Sequence, residues 1–229
     1  MAQQTWFITG ISSGFGRCLS GLLLERGYRV AGTVRTHDAV TDLQERHPEL
    51  LWLGVLDVTD IAAVHEVVDR AFAHWGRIDV VVNNAGYGLF GAVEEMTDAQ
   101  IAAQINTNLL GSIHVVKAAL PHLRARGGGR ILQISSYGGQ TTNPDAATVG
   151  AMHAIRESDA VRAGDPVRAA EIIVAVAQRT QMPYHLPLRV VAVAAAAQDE
   201  DLLAEDRRWA ALGRSADFGE PYPVGLPDE

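Results

Sequence analysis

Trp6-Phe7-Ile8-Thr9-Gly10-Ile11-Ser12-Ser13-Gly14-Phe15-Gly16 is a short apolar run that empties into three closely spaced glycines. Leu19, Leu22 and Leu23 follow at helical spacing, and Gly27 supplies a stop. Strand, glycine turn and helix, in that order, are the setting in which such glycines have a physical task. Gly10 permits the tight turn, Gly14 lets backbone approach a pyrophosphate, and Gly16 lets the helix pack closely on the sheet. The helix N-terminus then offers unpaired N–H groups and a partial positive charge to phosphates. The stretch reads as a dinucleotide-phosphate cradle, with Thr9, Gly10, Ser12, Ser13, Gly14, Phe15 and Gly16 as candidate cofactor-binding residues.

Outward from the cradle, short apolar runs alternate with helical patterns, as in a parallel sheet wrapped by helices. Tyr28 to Val34 is expected as a second strand, Leu50 to Leu56 as a third and Ile78 to Val82 as a central fourth. Thr59-Asp60 is suited to cap a helix whose buried face is Ile61, Val64, Val68, Ala71 and Trp75, ended by Gly76. Thr97 with Gln100 forms a capping box for the next helix. Its apolar stripe runs through Ile101, Ile105, Leu109, Ile113, Val116 and Leu120 up to Pro121. Arg130 to Ser135 is expected as a fifth strand. After Pro144 the pattern weakens: 145–163 reads as an irregular junction, and 164–218 as C-terminal helices with an edge strand. The Pro-rich 219–229 reads as a tail.

The chain has 229 residues, enough for one sizeable core, and a single domain over 1–229 is expected. A net charge of −8 argues against nucleic acid or an anionic membrane as partner. The single cysteine, Cys18, allows no internal disulfide and suits a reducing cytoplasm. The longest apolar stretch, Val190 to Ala197, falls short of the ~20 residues a membrane helix needs. The histidines have no metal-ligand spacing with Cys18, so no metal site is expected.

The spacing Thr-Gly-x-x-x-Gly-x-Gly resembles that of the short-chain dehydrogenase/reductase family. The resemblance continues through Asp57-Val58, Asn83-Asn84-Ala85-Gly86, Asn108-Leu109-Leu110-Gly111 and Ile134-Ser135-Ser136, covering residues 5–144. It implies a Rossmann-like doubly wound α/β sheet with strand order 3-2-1-4-5, and hydride transfer between a nicotinamide cofactor and a carbonyl or secondary alcohol. It further implies that Asp57 and Val58 contact adenine, that Asn83, Ala85 and Gly86 border the cofactor, and that Asn108 and Ser136 are catalytic. Relatives commonly pair through the helix matching Ile101–Leu120, so the expectation is either a homo-oligomer with an altered interface or a chain less stable than an intact relative.

Arg35 bears on cofactor choice. At the end of a second strand, an acidic residue would bind a ribose 2′-hydroxyl, whereas an arginine pairs with a 2′-phosphate. No acidic residue occupies Gly32 to Arg35, so NADP(H) is favoured over NAD(H).

The family's proton relay is a tyrosine followed four residues later by a lysine. A phenol of pKa ~10 is a poor base at neutral pH until a nearby cation stabilises its anion. Lys117 is the single lysine here, and Ile113 stands four before it. No tyrosine lies between Tyr137 and Tyr184, and Tyr184 is followed at the fourth position by Leu188. The expectation is an internal gap near Pro144 to Gly150 that removes a crossover and leaves an impaired oxidoreductase. Tyr137, His153 and His185 are poor substitutes. The alternatives are a non-catalytic NADP(H)-binding protein and a truncated product without selected function.

Overall fold

The computed structural model describes residues 3–89, 93–135, 165–183, 186 and 188. The chain divides into two compact units, Met1–Ile134 with Asn143–Met182, and Ser135–Thr142 with Pro183–Glu229.

Five parallel strands, β1 (Thr5–Ile8), β2 (Arg29–Val34), β3 (Leu51–Val55), β4 (Val80–Asn83) and β5 (Arg130–Gln133), form one sheet in the order β3-β2-β1-β4-β5. Phe7 sits opposite Ala31 on one side and Val81 on the other, which sets the register of the three central strands. Trp6, Phe7, Ile8 and Val80–Val82 are fully buried, so these runs carry no polar alternation. The expected strand order is the observed one.

Helices cover the sheet on two faces, as the alternation of side chains along each strand demands. On one face, α3 (Ile61–Trp75) and α5 (Ser112–Ala125) pack over Phe7, Ala31 and Val81 through Val64, Val68, Val115 and Ala119. The alternate strand residues face α1 (Gly14–Glu25), which packs beside α6 (Pro166–Ala177). That seam is apolar: Leu19 and Leu23 of α1, with Ala170 and Val174 of α6, are fully buried. Burying each leucine contributes about 1.5–3 kcal/mol. The exposed Arg26–Glu171 pair beside it, at 3.8 Å, contributes about 0–1 kcal/mol, so apolar contact decides where α6 sits.

Local signals set the helix ends. Asp60 accepts a hydrogen bond from the Ala63 amide at 3.0 Å, and Gly76 closes α3 with φ 65°. Thr97 and Gln100 form the expected reciprocal capping box at the start of α4 (Asp98–Ile105). Asp165 accepts from the amides of Val167 and Arg168, with Pro166 in the first helical turn of α6.

Three expectations are corrected. The buried face of α3 is Val64, Val67, Val68, Ala71 and Phe72, whereas Ile61 is exposed and Trp75 half-buried. Pro121 lies within α5 rather than ending it. Most consequentially, the stripe from Ile101 to Leu120 is not one α-helix. A π-helical turn, Asn106–Gly111, separates α4 from α5 and changes the phase between them. Ile105, Leu109 and Ile113 therefore share an exposed face, and the core is met by Val115, Ala118, Ala119 and Leu123. The Pro144–Gly150 gap, the 145–163 junction and the 219–229 tail lie outside the described residues.

Candidate active site

The strands all point the same way, so the segments leaving β1, β2, β3 and β4 gather at one end of the sheet. Thr9 ties two of them together. Its Oγ accepts from the backbone amides of Asn84 and Ala85, each at 3.0 Å, and its own amide donates to the Val82 carbonyl at 3.1 Å. The Asn84 carboxamide returns the contact, donating to the Thr9 and Gly10 carbonyls at 2.9 Å each. The turn after β1 is thus fastened to the turn after β4.

The cradle glycines have distinct reasons to lack a side chain. Gly10 has φ 72°, and a Cβ there would lie 3.0 Å from the Cα of Ala85. A Cβ on Gly16 would sit 2.4 Å from the Gly10 carbonyl oxygen and collide with the Asn84 carboxamide. The close approach it permits is therefore to the turn itself. Gly14 has φ 54°, and a Cβ there would meet nothing within 4 Å among the described residues. Ser13 stands at the N-cap of α1 in extended conformation and makes no side-chain cap bond. Phe15 is half-buried, Ser12 is half-buried and Ser13 exposed. An uncapped helix start at a left-handed glycine fits a pyrophosphate.

Arg35 follows β2 directly and is exposed, close enough to Asp57 beyond β3 to act on its charge. The Asp57 carboxyl is held below its ordinary range, first by the Thr59 amide at 2.9 Å, then by the Thr59 hydroxyl at 2.7 Å, and last by Arg35. Val58 is buried, and a Cβ on Gly111 would lie 2.8 Å from its Cγ2, so the π-helical turn rests directly on the Asp57-Val58 segment.

Asn108 occupies the middle of that turn. Its Nδ2 donates to the Tyr87 carbonyl at 2.7 Å, and its Oδ1 accepts from the Tyr87 amide at 3.1 Å. A Cβ on Gly86 would stand 3.1 Å from the same Oδ1, which gives Gly86 its own steric reason. Asn83 points elsewhere: its Nδ2 donates to the Ser112 carbonyl and to Gln133 Oε1, pinning β4 to α5 and β5. Asn84, not singled out from the sequence, carries the direct contacts to the cradle. A signal for it existed in the paired asparagines after a buried strand, but nothing in the spacing says which of the two turns toward the glycines. The structure brings Thr9, Gly10, Gly16, Ala85, Gly86 and Asn108 into one connected set, and Arg35 with Asp57 and Val58 into another beside it. Ser136, Tyr137, His153 and His185 lie outside the described residues.

A family model described as short chain dehydrogenase matches residues 4–154. An oxidoreductase of Botryotinia fuckeliana is 41% identical over 142 residues, which cover 62% of this chain and 52% of that protein. A 3-ketodihydrosphingosine reductase of Bacteroides thetaiotaomicron is 40% identical over 139 residues, covering 61% of this chain and 49% of the relative. The chain thus spans about half the length of these curated relatives. Among solved structures, a short-chain dehydrogenase from Streptomyces avermitilis superposes with a TM-score of 0.83 at 26% identity, covering 94% of this chain and 99% of that one. ElxO with NADP bound gives 0.59 at 31% identity, covering 67% and 64%. An NAD+-bound xylitol dehydrogenase gives 0.58 at 28% identity, covering 66% and 60%.

Proposed function

The chain belongs to the short-chain dehydrogenase family, and on that premise we propose that it is an NADP(H)-dependent oxidoreductase of carbonyls or secondary alcohols with an impaired proton relay. The observation that carries the cofactor half is Arg35 just past the end of β2, with the uncapped start of α1 next to the turn it serves. In this reading the amides at the start of α1 take the pyrophosphate and Arg35 takes the 2′-phosphate. Asp57 and Val58 border the adenine, and Ala85 and Gly86 the ribose beyond it. When bound, the cofactor supplies or accepts the hydride. Asn108 holds the Tyr87 segment, and Ser136 binds the substrate oxygen.

The proton half is where this chain departs from its family. Lys117, its single lysine, is an exposed residue of α5, and no tyrosine precedes it by four. Lacking a positioned acid and base, turnover is expected to fall by about 10²–10⁴-fold. That same observation favours a second reading, a non-catalytic NADP(H)-binding protein whose cradle serves recognition alone. The exposed face of Ile105, Leu109 and Ile113 suits self-association, and the single thiol of Cys18 suits a reducing cytoplasm.

Titration with NADPH followed by an NADPH-oxidation assay on simple ketones and aldehydes separates these readings. Saturable binding with slow turnover supports the oxidoreductase. Binding with no turnover supports the second reading, and absence of binding contradicts both.

A further inference from the structure

Arg17, one residue past the last cradle glycine, reaches away from the glycine turn. Its Nη1 donates to the Ala39 carbonyl at 3.1 Å and its Nη2 to Asp42 Oδ1 at 2.6 Å. Both acceptors lie in the segment that follows Arg35: a 3₁₀ turn, His37–Val40, running into α2 (Thr41–Arg46). Arg46 donates to the other oxygen of Asp42 at 2.9 Å, so the carboxylate is held from two sides. Underneath, Val40 and Leu43 are buried, which docks the segment, but leaves the turn between Arg35 and Val40 exposed. The Arg17 bonds to Ala39 and Asp42 join that exposed turn to α1.

We propose that Arg17 is a positioning residue for cofactor discrimination: by holding Ala39 and Asp42 it fixes the turn after β2, and so orients Arg35 toward a ribose 2′-phosphate. The proposal rests on the NADP(H) preference argued above. Arg17 joins the helix whose start takes the pyrophosphate to the segment that takes the adenosine ribose, so the two halves of the cofactor site move as one piece. An exposed ion pair contributes little to stability. The value of this one lies in geometry, since a phosphate-binding arginine is effective only where its planar fork meets the oxygens. The Asp42 carboxyl is held below its ordinary range, first by the Arg17 hydrogen bond, so the tether stays charged through the neutral range.

The test is a fluorescence titration of NADPH and NADH against the full chain and its R17Q, R17K, D42N and R35A variants, with a thermal melt of each. For R17Q the ratio of NADPH to NADH affinity is expected to fall about fivefold, with NADH affinity and melting temperature nearly unchanged. R17K restores part of the ratio, because an ammonium can keep one of the two contacts and not both. D42N is expected to weaken NADPH, since the turn loses its charged anchor. Tighter NADPH binding in D42N would mean that a released Arg17 touches the phosphate itself, and would overturn the positioning role. An R17Q variant that loses both cofactors equally, or keeps the wild-type ratio while R35A loses it, also overturns that role and leaves the NADP(H) reading intact. A wild-type chain without preference overturns the underlying reading, and the role of Arg17 with it.

Discussion

Asn108 and Tyr87 are bound to each other twice, the asparagine carboxamide meeting both the amide and the carbonyl of the tyrosine. That reciprocal pair fastens the π-helical turn to the segment leaving β4. The Gly111–Val58 contact fastens the other end of the turn to the segment leaving β3. A regular α-helix from Asp98 to Ala125 would rotate one of these contacts away by shifting its register.

Replacing Asn108 by Ala removes both bonds and leaves a partly covered backbone unsatisfied. A stability loss of about 1–2 kcal/mol is expected in chemical denaturation. N108D is expected to cost more than N108A, since it places a carboxylate against the Tyr87 carbonyl. If N108D is as stable as the unmodified chain, Asn108 is not the fastening.

Two glycines of α1 should respond oppositely to the same change. At Gly16 a methyl meets the Gly10 carbonyl and Asn84, so G16A should lose about 1–3 kcal/mol and most of its NADPH affinity. At Gly21 the nearest atom, from Leu43, lies 4.0 Å away, and G21A should gain about 0.5–1 kcal/mol by helix propensity. Melting curves of the two variants check both signs. A tolerated G16A would show that the turn yields.

The sheet and the cradle were legible because each rests on a local signal: uninterrupted apolar runs, glycines between strand and helix, and caps such as Thr97 with Gln100. The π-helical turn was not. Ile101, Ile105, Leu109 and Ile113 recur every fourth residue, which a helix buried along that stripe would also show. The periodicity fixes a common face and says nothing about whether that face meets the core. The division of labour between Asn83 and Asn84 was equally hidden, because it depends on which carboxamide finds Thr9 and which finds Ser112, partners 75 and 29 residues away in sequence. Arg17 was missed for the same reason: its partners come from the segment beyond β2.

Cofactor preference should depend on pH with a definite sign. A guanidinium stays charged throughout, whereas a phosphate monoester takes up a proton near pH ~6. The NADPH-to-NADH affinity ratio is expected to fall between pH 8 and pH 5.5. Asp57 and Asp42 do not contribute in that window. Their folded pKa values lie below the ordinary ones, so what they stabilise is fully present above the ordinary carboxylate range and is lost only as pH falls through the lowered value. A ratio that rises on acidification would point to a titrating protein group in place of the phosphate.

The account turns on Arg35 meeting a 2′-phosphate, and the most direct measurement is the NADPH and NADH dissociation constants of the unmodified chain and of R35A. The expected result is NADPH tighter by about 10-fold or more, as for a charge-assisted pair of about 1.5–3 kcal/mol, with R35A losing that margin and leaving NADH unchanged. Equal affinities for the two cofactors, or an R35A variant that weakens both alike, would contradict it.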